Sequence, residues 1–399
     1  MRVWAFALRS LVRQPGRASL GVLGIAGVGA LLFDMLMLSR GLVVSLQEVL
    51  DSAGFDVRVM ATDVPFGGPP VTGARAAAAA IAALPEVAEV VPVAFGRARA
   101  AGPDGRVLHA GFMGVETGAR RPWTLLAGDD LAAPRPGPPS LVVNRNLAEA
   151  LGVSPGGAAT LRADCSRGAS ALPPARFRVA GIVDFPFDEA AGLSAAARLE
   201  DFRHACGLDE LDEAQLLLVA SREGHGPAAA VRAIREARKD LHAFTNEELV
   251  ARFQEVGFSY FRQISTVLST VTLVFAFLLI TVLLTVSVNQ RFAEIAALRA
   301  LGFSRKRVVQ DVLCQSALLV GAGGALSLPL GLALSTWLDA ILRAMPEIPA
   351  SFRFFVFEPR ALGLHLALLA VTAVLAALYP MRLVAGLPIA ATLRDEAVT

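Results

Sequence analysis

The sequence predicts an α-helical membrane protein with four transmembrane helices and one large extracytoplasmic α+β domain between helices 1 and 2. Three observations carry this expectation. The 399 residues are 54% hydrophobic and only 18% charged, the mean hydropathy is +0.55, and four apolar runs reach the length of about 20 residues that a helix needs to cross a bilayer core. The runs are residues 20–44, 264–288, 308–338 and 361–381. Residues 45–261 separate the first two, whereas the connections 289–307 and 339–360 are short.

Orientation follows from the basic residues beside the spans, because short cytoplasmic segments retain Lys and Arg. Segment 1–19 carries Arg2, Arg9, Arg13 and Arg17 with no acid. Loop 289–307 carries Arg291, Arg299, Arg305, Lys306 and Arg307 against Glu294 alone. Connection 339–360 instead balances Asp339, Glu347 and Glu358 with Arg343, Arg353 and Arg360. Both termini, including the tail 382–399, are therefore expected in the cytoplasm and the large domain outside. The first run follows a basic segment as a secretory signal would, but it exceeds a signal's apolar core, so it reads as a retained anchor.

Within 45–261, Pro and Gly cluster at 65–70, 134–139 and 173–174 between short periodic stretches. Val71 to Leu84 reads as an Ala-rich helix, and Val87–Phe95 and Arg106–Val115 as strands joined through the turn Gly102-Pro-Asp-Gly105. A second lobe follows. Ser140–Val143 reads as a strand, Asn144–Leu151 as a helix ended by Gly152, Arg176–Asp184 and Leu216–Ser221 as strands, and Pro227–Asp240 as an amphipathic helix. Asn246–Arg262 reads as a helix leading into the second span. The first span can extend outward likewise, giving two stalks.

Several function classes fall away. A net charge of +2 gives no concentrated positive surface for nucleic acid. Lys239 and Lys306 are the only lysines and neither follows a glycine, so the sequence has no phosphate-binding GxxxxGK[ST] loop. Gly152-Val-Ser-Pro-Gly156 matches a nucleophile elbow by letter, yet a helix precedes it and Pro155 follows the serine, so it reads as a turn. The five histidines lack ligand spacing, and no metal site is expected. The glycines at 21–29 and 321–324 lie inside spans rather than after soluble strands, which removes a dinucleotide loop. Cys165 and Cys206 both fall outside, where a disulfide can persist; a bridge and two free thiols both remain open. Cys314 begins the third span.

Gly323, Ser327, Gly331 and Ser335 recur at four-residue spacing, lining one helix face with small side chains for close helix packing. Asp34 is the one acid in the first span. It reads as lying near the outer headgroups beside Arg40, with an intramembrane cavity as the alternative. In loop 289–307, apolar Phe292, Ile295, Leu298 and Leu301 recur every three residues, Gly302 is placed to stop the helix, and Ser304 to cap the next. The apolar stripe must be covered by the headgroup region or by a protein, and periodicity leaves both open.

These residues resemble the ABC transporter permease family that includes the MacB-type, lipoprotein-releasing LolC/LolE-type and FtsX-type subunits. The strongest match is Glu294-Ile-Ala-Ala-Leu-Arg-Ala-Leu-Gly-Phe-Ser-Arg-Lys-Arg-Val308, followed by the glycine-rich third span. Ala7 to Arg17, Tyr379-Pro380 and Pro388 to Arg394 support it. Val142–Gly156 and Phe177–Val183 look like the family's MacB-like periplasmic core. The resemblance implies that Glu294 to Gly302, with Phe292, Ile295, Leu298, Arg299 and Leu301, is the coupling helix that docks into a separate ABC ATPase subunit. It implies that this chain is not catalytic, and that ATP and Mg are bound by that partner. It further implies a second permease copy or paralogue, a periplasmic adaptor or acceptor protein, contact with membrane lipids, and residence in the bacterial inner membrane. The function implied is mechanotransmission for export or lipoprotein release. Competing readings are an FtsX-like regulator of periplasmic cell-wall hydrolases and an ATP-independent anchored binding module.

Overall fold

A computed structural model describes residues 9, 12, 13, 15–64, 68–131, 137–165, 173–256, 259–289, 305–343, 345, 351–357 and 359–385. The chain divides into two compact units, one of Met1–Leu42, Tyr260–Ala340 and Phe354–Thr399, the other of Val43–Ser259 and Ile341–Arg353. They are called the bundle unit and the β unit below.

The β unit contains two lobes that share one strand. The first is built from β1 (Val57–Met60), α2 (Ala74–Ala82), β3 (Val87–Ala101), β11 (Leu216–Ser221), α5 (Pro227–Ala237) and β12 (His242–Thr245). Its strands lie in the order β12-β1-β11-β3, each pair antiparallel. This is a ferredoxin-like β-α-β-β-α-β arrangement. The apolar stripes of α2 (Ala74, Ala77, Ile81) and α5 (Ala230, Val231, Ile234) are buried with Val57, Val59, Leu217 and Val219 in one cluster.

The second lobe is inserted between β3 and β11. It comprises β4 (Val107–Val115), β5 (Thr124–Gly128), β6 (Ser140–Asn144), α3 (Arg145–Leu151), β7 (Ala158–Asp164), β8 (Ala175–Asp184), β9 (Ser194–Arg198) and α4 (Leu199–Cys206). Pairing runs β3-β4-β9-β6-β8-β7 and returns from β7 to β3, closing a six-strand ring. Closure satisfies the edges that an open sheet would expose. Phe112, Leu141, Leu161, Phe177 and Val179 are buried in one cluster with Leu147, Leu151, Leu199 and Phe202 of the two helices. β3 is 15 residues long because it serves both lobes: Val87–Val93 pairs with β11, and Arg97–Ala101 with β7.

One sequence expectation is corrected. Residues 71–84 do not form one helix: Val71-Thr72 is a short strand, β2, paired with β10 (Glu213-Ala214), and Gly73 at φ 63° turns the chain before α2 begins. A residue with a side chain would resist that left-handed conformation.

The bundle unit holds the apolar part of α1 (Pro15–Ser52), then α7 (Ser259–Asn289), α8 (Arg305–Arg343) and α9 (Pro359–Ala385). All four contain stretches long and apolar enough to cross a membrane: Ala18–Ser52, Gln263–Val286, Leu313–Arg343 and Pro359–Arg382. A further helix, α6 (Asn246–Val256), ends the β unit's strand-bearing part. The apolar end of the bundle core joins Ile25 and Leu32 of α1 to Ile280, Leu284, Leu319, Val320, Leu369 and Ala373.

Candidate functional site

α1 touches each of the other three apolar helices, and glycine makes those approaches close. A Cβ on Gly24 would lie 3.0 Å from Leu279 of α7, and one on Gly29 would lie 2.8 Å from the Ser327 Cβ of α8. From the other side, a Cβ on Gly323 would lie 2.6 Å from the Ile25 side chain and one on Gly331 2.9 Å from Phe33. Three members of the small-residue row thus face α1 within one chain. Ser335, the fourth, is buried and donates to the Leu332 carbonyl at 3.0 Å. The complementary glycines of α1 had been legible only as a glycine-rich stretch, since composition does not say which face meets which neighbour.

His365 of α9 was also missed. It is buried, its ring centroid lies 5.3 Å from that of Phe33, and its Nε2 is 3.0 Å from Ser327 Oγ. Ser327 Oγ also lies 2.7 Å from the Gly324 carbonyl, so the hydroxyl bridges α8's own backbone and α9. Asp34 is fully buried and neither of its oxygens has a hydrogen-bond partner among the described residues. The turn of α1 that carries it is covered by protein rather than exposed. The Arg40 side chain lies outside the described residues, as do Phe292, Glu294, Ile295, Leu298, Arg299, Leu301 and Gly302.

In the β unit, the C-terminal end of α1 and the start of α6 meet at a buried polar node. Arg58 sits in β1 with 4% exposure and donates to Asn246 Oδ1 and, at 3.1 Å, to the Leu50 carbonyl. Asn246 donates to Asp51 Oδ1 at 2.6 Å and to the Phe55 carbonyl at 3.0 Å. Burial lowers the Arg58 pKa to about 10, opposed by the nearby charges of Asp51 and Asp56, so the guanidinium stays ionised at neutral pH. An arginine in the otherwise apolar Val-Arg-Val-Met strand was the available signal, but its partners lie 188 and 8 residues away in sequence. Leu46, Leu50, Met60, Phe244, Leu249 and Val250 pack as an apolar cluster that joins the same helices and strands. Elsewhere in the β unit, Cys165 and Cys206 are disulfide-bonded, with Cα atoms 5.7 Å apart.

Residues 19–237 match the model of the MacB-like periplasmic core domain, and residues 266–389 match that of the FtsX-like permease C-terminal region. The chain belongs to the MacB/FtsX-type ABC transporter permease family. Members of this family are permease components, not themselves catalytic, that work with ABC ATPase subunits. Four apolar helices in a chain of this family indicate a multi-pass protein of the inner membrane. No protein of curated function matches the sequence. Among solved structures, the chain is similar to the periplasmic region of MacB from Actinobacillus actinomycetemcomitans, with 11% identity and a TM-score of 0.38 over 51% of this chain and 94% of that one. It is also similar to the extracellular domain of the noncanonic ABC-type transporter YknZ from Gram-positive bacteria, with 11% identity and a TM-score of 0.34 over 48% of this chain and 98% of that one.

Proposed function

We propose that this chain is the permease subunit of an ABC transporter in which a separate ATPase subunit, binding ATP and Mg, drives movement of the β unit for export or lipoprotein release. The observation that carries the reading is the polar node. α1 is unbroken from Pro15 to Ser52, and Arg58 and Asn246 tie its last turns to the start of α6, the helix that precedes α7 in the chain. The two stalks are thereby held at one point, so a displacement of either would be passed to β1 and β12 rather than lost in independent helices.

In this reading both termini are cytoplasmic, Glu294 to Gly302 is the coupling helix, and its apolar stripe of Phe292, Ile295, Leu298 and Leu301 is covered by the ATPase. A coupling element can shift a conformational equilibrium only as far as the ATPase contacts it differently in its states. A second permease copy or paralogue would complete the membrane part, with α7 the natural contact because only 22% of its apolar window is buried within the chain. A periplasmic adaptor or acceptor would meet the β unit.

The test is purification of the full chain from its native host with its bound subunits, followed by ATPase measurement. A stoichiometric P-loop ATPase is expected. Reversing both charges in Glu294→Arg with Arg299→Glu should abolish ATPase stimulation while the permease still inserts. Unchanged stimulation would remove the coupling role, and a well-folded chain recovered with a periplasmic hydrolase but no ATPase would replace the transporter with a regulator.

A further inference from the structure

The helices α2 and α5 cover one face of the first lobe's sheet. On the face away from them, the β unit has a half-open cavity of about 540 Å³ between the two lobes. Its size lies within the roughly 300–1,000 Å³ range of ligand sites. Its walls come from β1, β11, β3, β4 and β9, together with the end of α1, α6 and the segment after β8. Those five strands are consecutive in the sheet. Four inter-strand steps of about 4.8 Å give a path of at most about 19 Å across these strands, shortened where β3, β4 and β9 curve into the ring. With the stated volume it is narrow for its length, which suits an extended chain better than a fused-ring body.

The wall chemistry narrows the ligand further. Apart from Thr62, the polar side chains lining the space are already engaged by the protein. Arg58 is held by Asn246 and Leu50. Asp188 accepts from Ser194 Oγ at 2.6 Å and from Asn144 Nδ2 at 2.6 Å. Gln215 Oε1 accepts from the Phe95 amide at 3.1 Å. Burial also raises the Asp188 pKa, against the lowering effect of those two hydrogen bonds. Among the described lining residues the charged groups are Arg58 and Asp188, and both are committed to hydrogen bonds within the protein. Meanwhile Val64, Phe95 and Phe187 stand at the lining with 53%, 52% and 45% exposure, an apolar surface unusual for residues with nothing to cover.

We infer that this cavity is a binding site for a single alkyl chain of an amphiphile, with the chain lying across β1 to β9 and the polar headgroup left outside the apolar wall. The site is complete within one β unit and stands apart from the question of ATPase coupling. Gly111 tests it because it lines the cavity and a Cβ there makes only ordinary contacts, with Ser194 Oγ at 3.5 Å and the Leu193 carbonyl at 3.8 Å, so a larger side chain can be placed there without a clash.

The experiment uses the full chain in lipid nanodiscs with palmitic acid carrying a mid-chain diazirine, and maps the photolabelled peptides by mass spectrometry. Labelling is expected in peptides containing Phe95, Met113 and Phe187, and excess unlabelled palmitate should remove it. Gly111→Leu should lower it at least tenfold while labelling of the apolar helix 263–286 stays constant as the internal control. If that variant loses its thermal transition, Met113→Trp fills the same space from a partly buried position and should give the same loss. Label confined to the apolar helices would overturn the inference. So would β-unit labelling that survives both filling variants, or a compact aromatic diazirine probe that labels these peptides where palmitate does not. ATPase activity is not read, so failure of the transporter reading would leave these outcomes unchanged.

Discussion

In the β unit the buried Arg58, Asn144 and Asn246 each make several hydrogen bonds, and the lobes close around apolar clusters that exclude solvent. In the bundle unit Asp34 is just as buried and has no hydrogen-bond partner among the described residues, while Ile264, Phe275, Val282, Val371 and Val374 stay exposed. The contrast follows from the solvent each unit is built for. In water, apolar side chains are driven inward at roughly 25 cal/mol per Å² and a satisfied polar group carries little penalty. In hydrocarbon there is no such drive between helices, so cohesion rests on close packing, which the glycine and serine contacts between α1 and α8 provide.

That contrast can be broken at three points. The largest effect is expected in the β unit. Replacing Cys165 and Cys206 with alanine opens a loop of sequence separation 41, and loop-closure entropy predicts a loss of about 4 kcal/mol. Chemical denaturation of the full chain should show it in the β-unit transition; an unchanged midpoint would mean that the ring in the second lobe holds without the bridge.

A somewhat smaller effect is expected in the bundle. Gly323→Leu places a branched side chain where even a Cβ would lie 2.6 Å from Ile25 and 3.1 Å from the Val22 carbonyl. Overpacking of this kind costs about 3 kcal/mol, and backbone cannot retreat as a flexible side chain can. Thermal unfolding in detergent should fall for this variant while Gly363→Ala, at a position with open space around it, stays near the parent. Equal stability of the two would show that α1 and α8 do not rely on close approach.

The smallest effect is at the solvated surface of the β unit. Asp240 bonds Arg238 through both carboxylate oxygens, at 2.9 and 2.7 Å, and its pKa falls to about 2, first because of the hydrogen bond from Arg238. A depressed folded-state pKa means the stabilisation is present above the unfolded value near 3.8 and is lost as pH falls toward 2. Because Asp240 is exposed, solvent screening limits the pair to about 0.5 kcal/mol. Asp240→Asn should change stability by no more than that at pH 7 and by nothing measurable at pH 2; a larger loss would mark a structural role for the α5–β12 turn.

Comparison of particular elements shows why some of this was legible. Asn144 to Gly152 could be read as a helix with both ends because local groups make its caps: Asn144 Oδ1 accepts from the Leu147 amide at 2.9 Å, and Gly152 adopts φ 65°. β9 could not be read at all. Ser-Ala-Ala-Ala-Arg has weak strand propensity, yet Ala195, Ala196 and Ala197 are buried because β4 and β6 pair with it on either side. Likewise residues 339–360 read as a plain connection between spans, whereas Ser351 donates to the Pro186 carbonyl and the Arg353 amide to Ser45 Oγ at 2.8 Å, which ties these two residues to the β unit.

The sequence by itself determined what local physics writes along the chain: four apolar helices, the row of small residues on α8, capped helices, and the family motif. Hydropathy over 20 residues and side-chain periodicity need no knowledge of distant neighbours. Only the tertiary structure decided that β3 serves two lobes, that the second closes into a ring, that Gly29 faces Ser327, that Arg58 meets Asn246 across 188 residues, and that the lobes leave an apolar space between them. Each of these depends on which surfaces meet after folding, and residues far apart in sequence carry no mark of that meeting until packing brings them together.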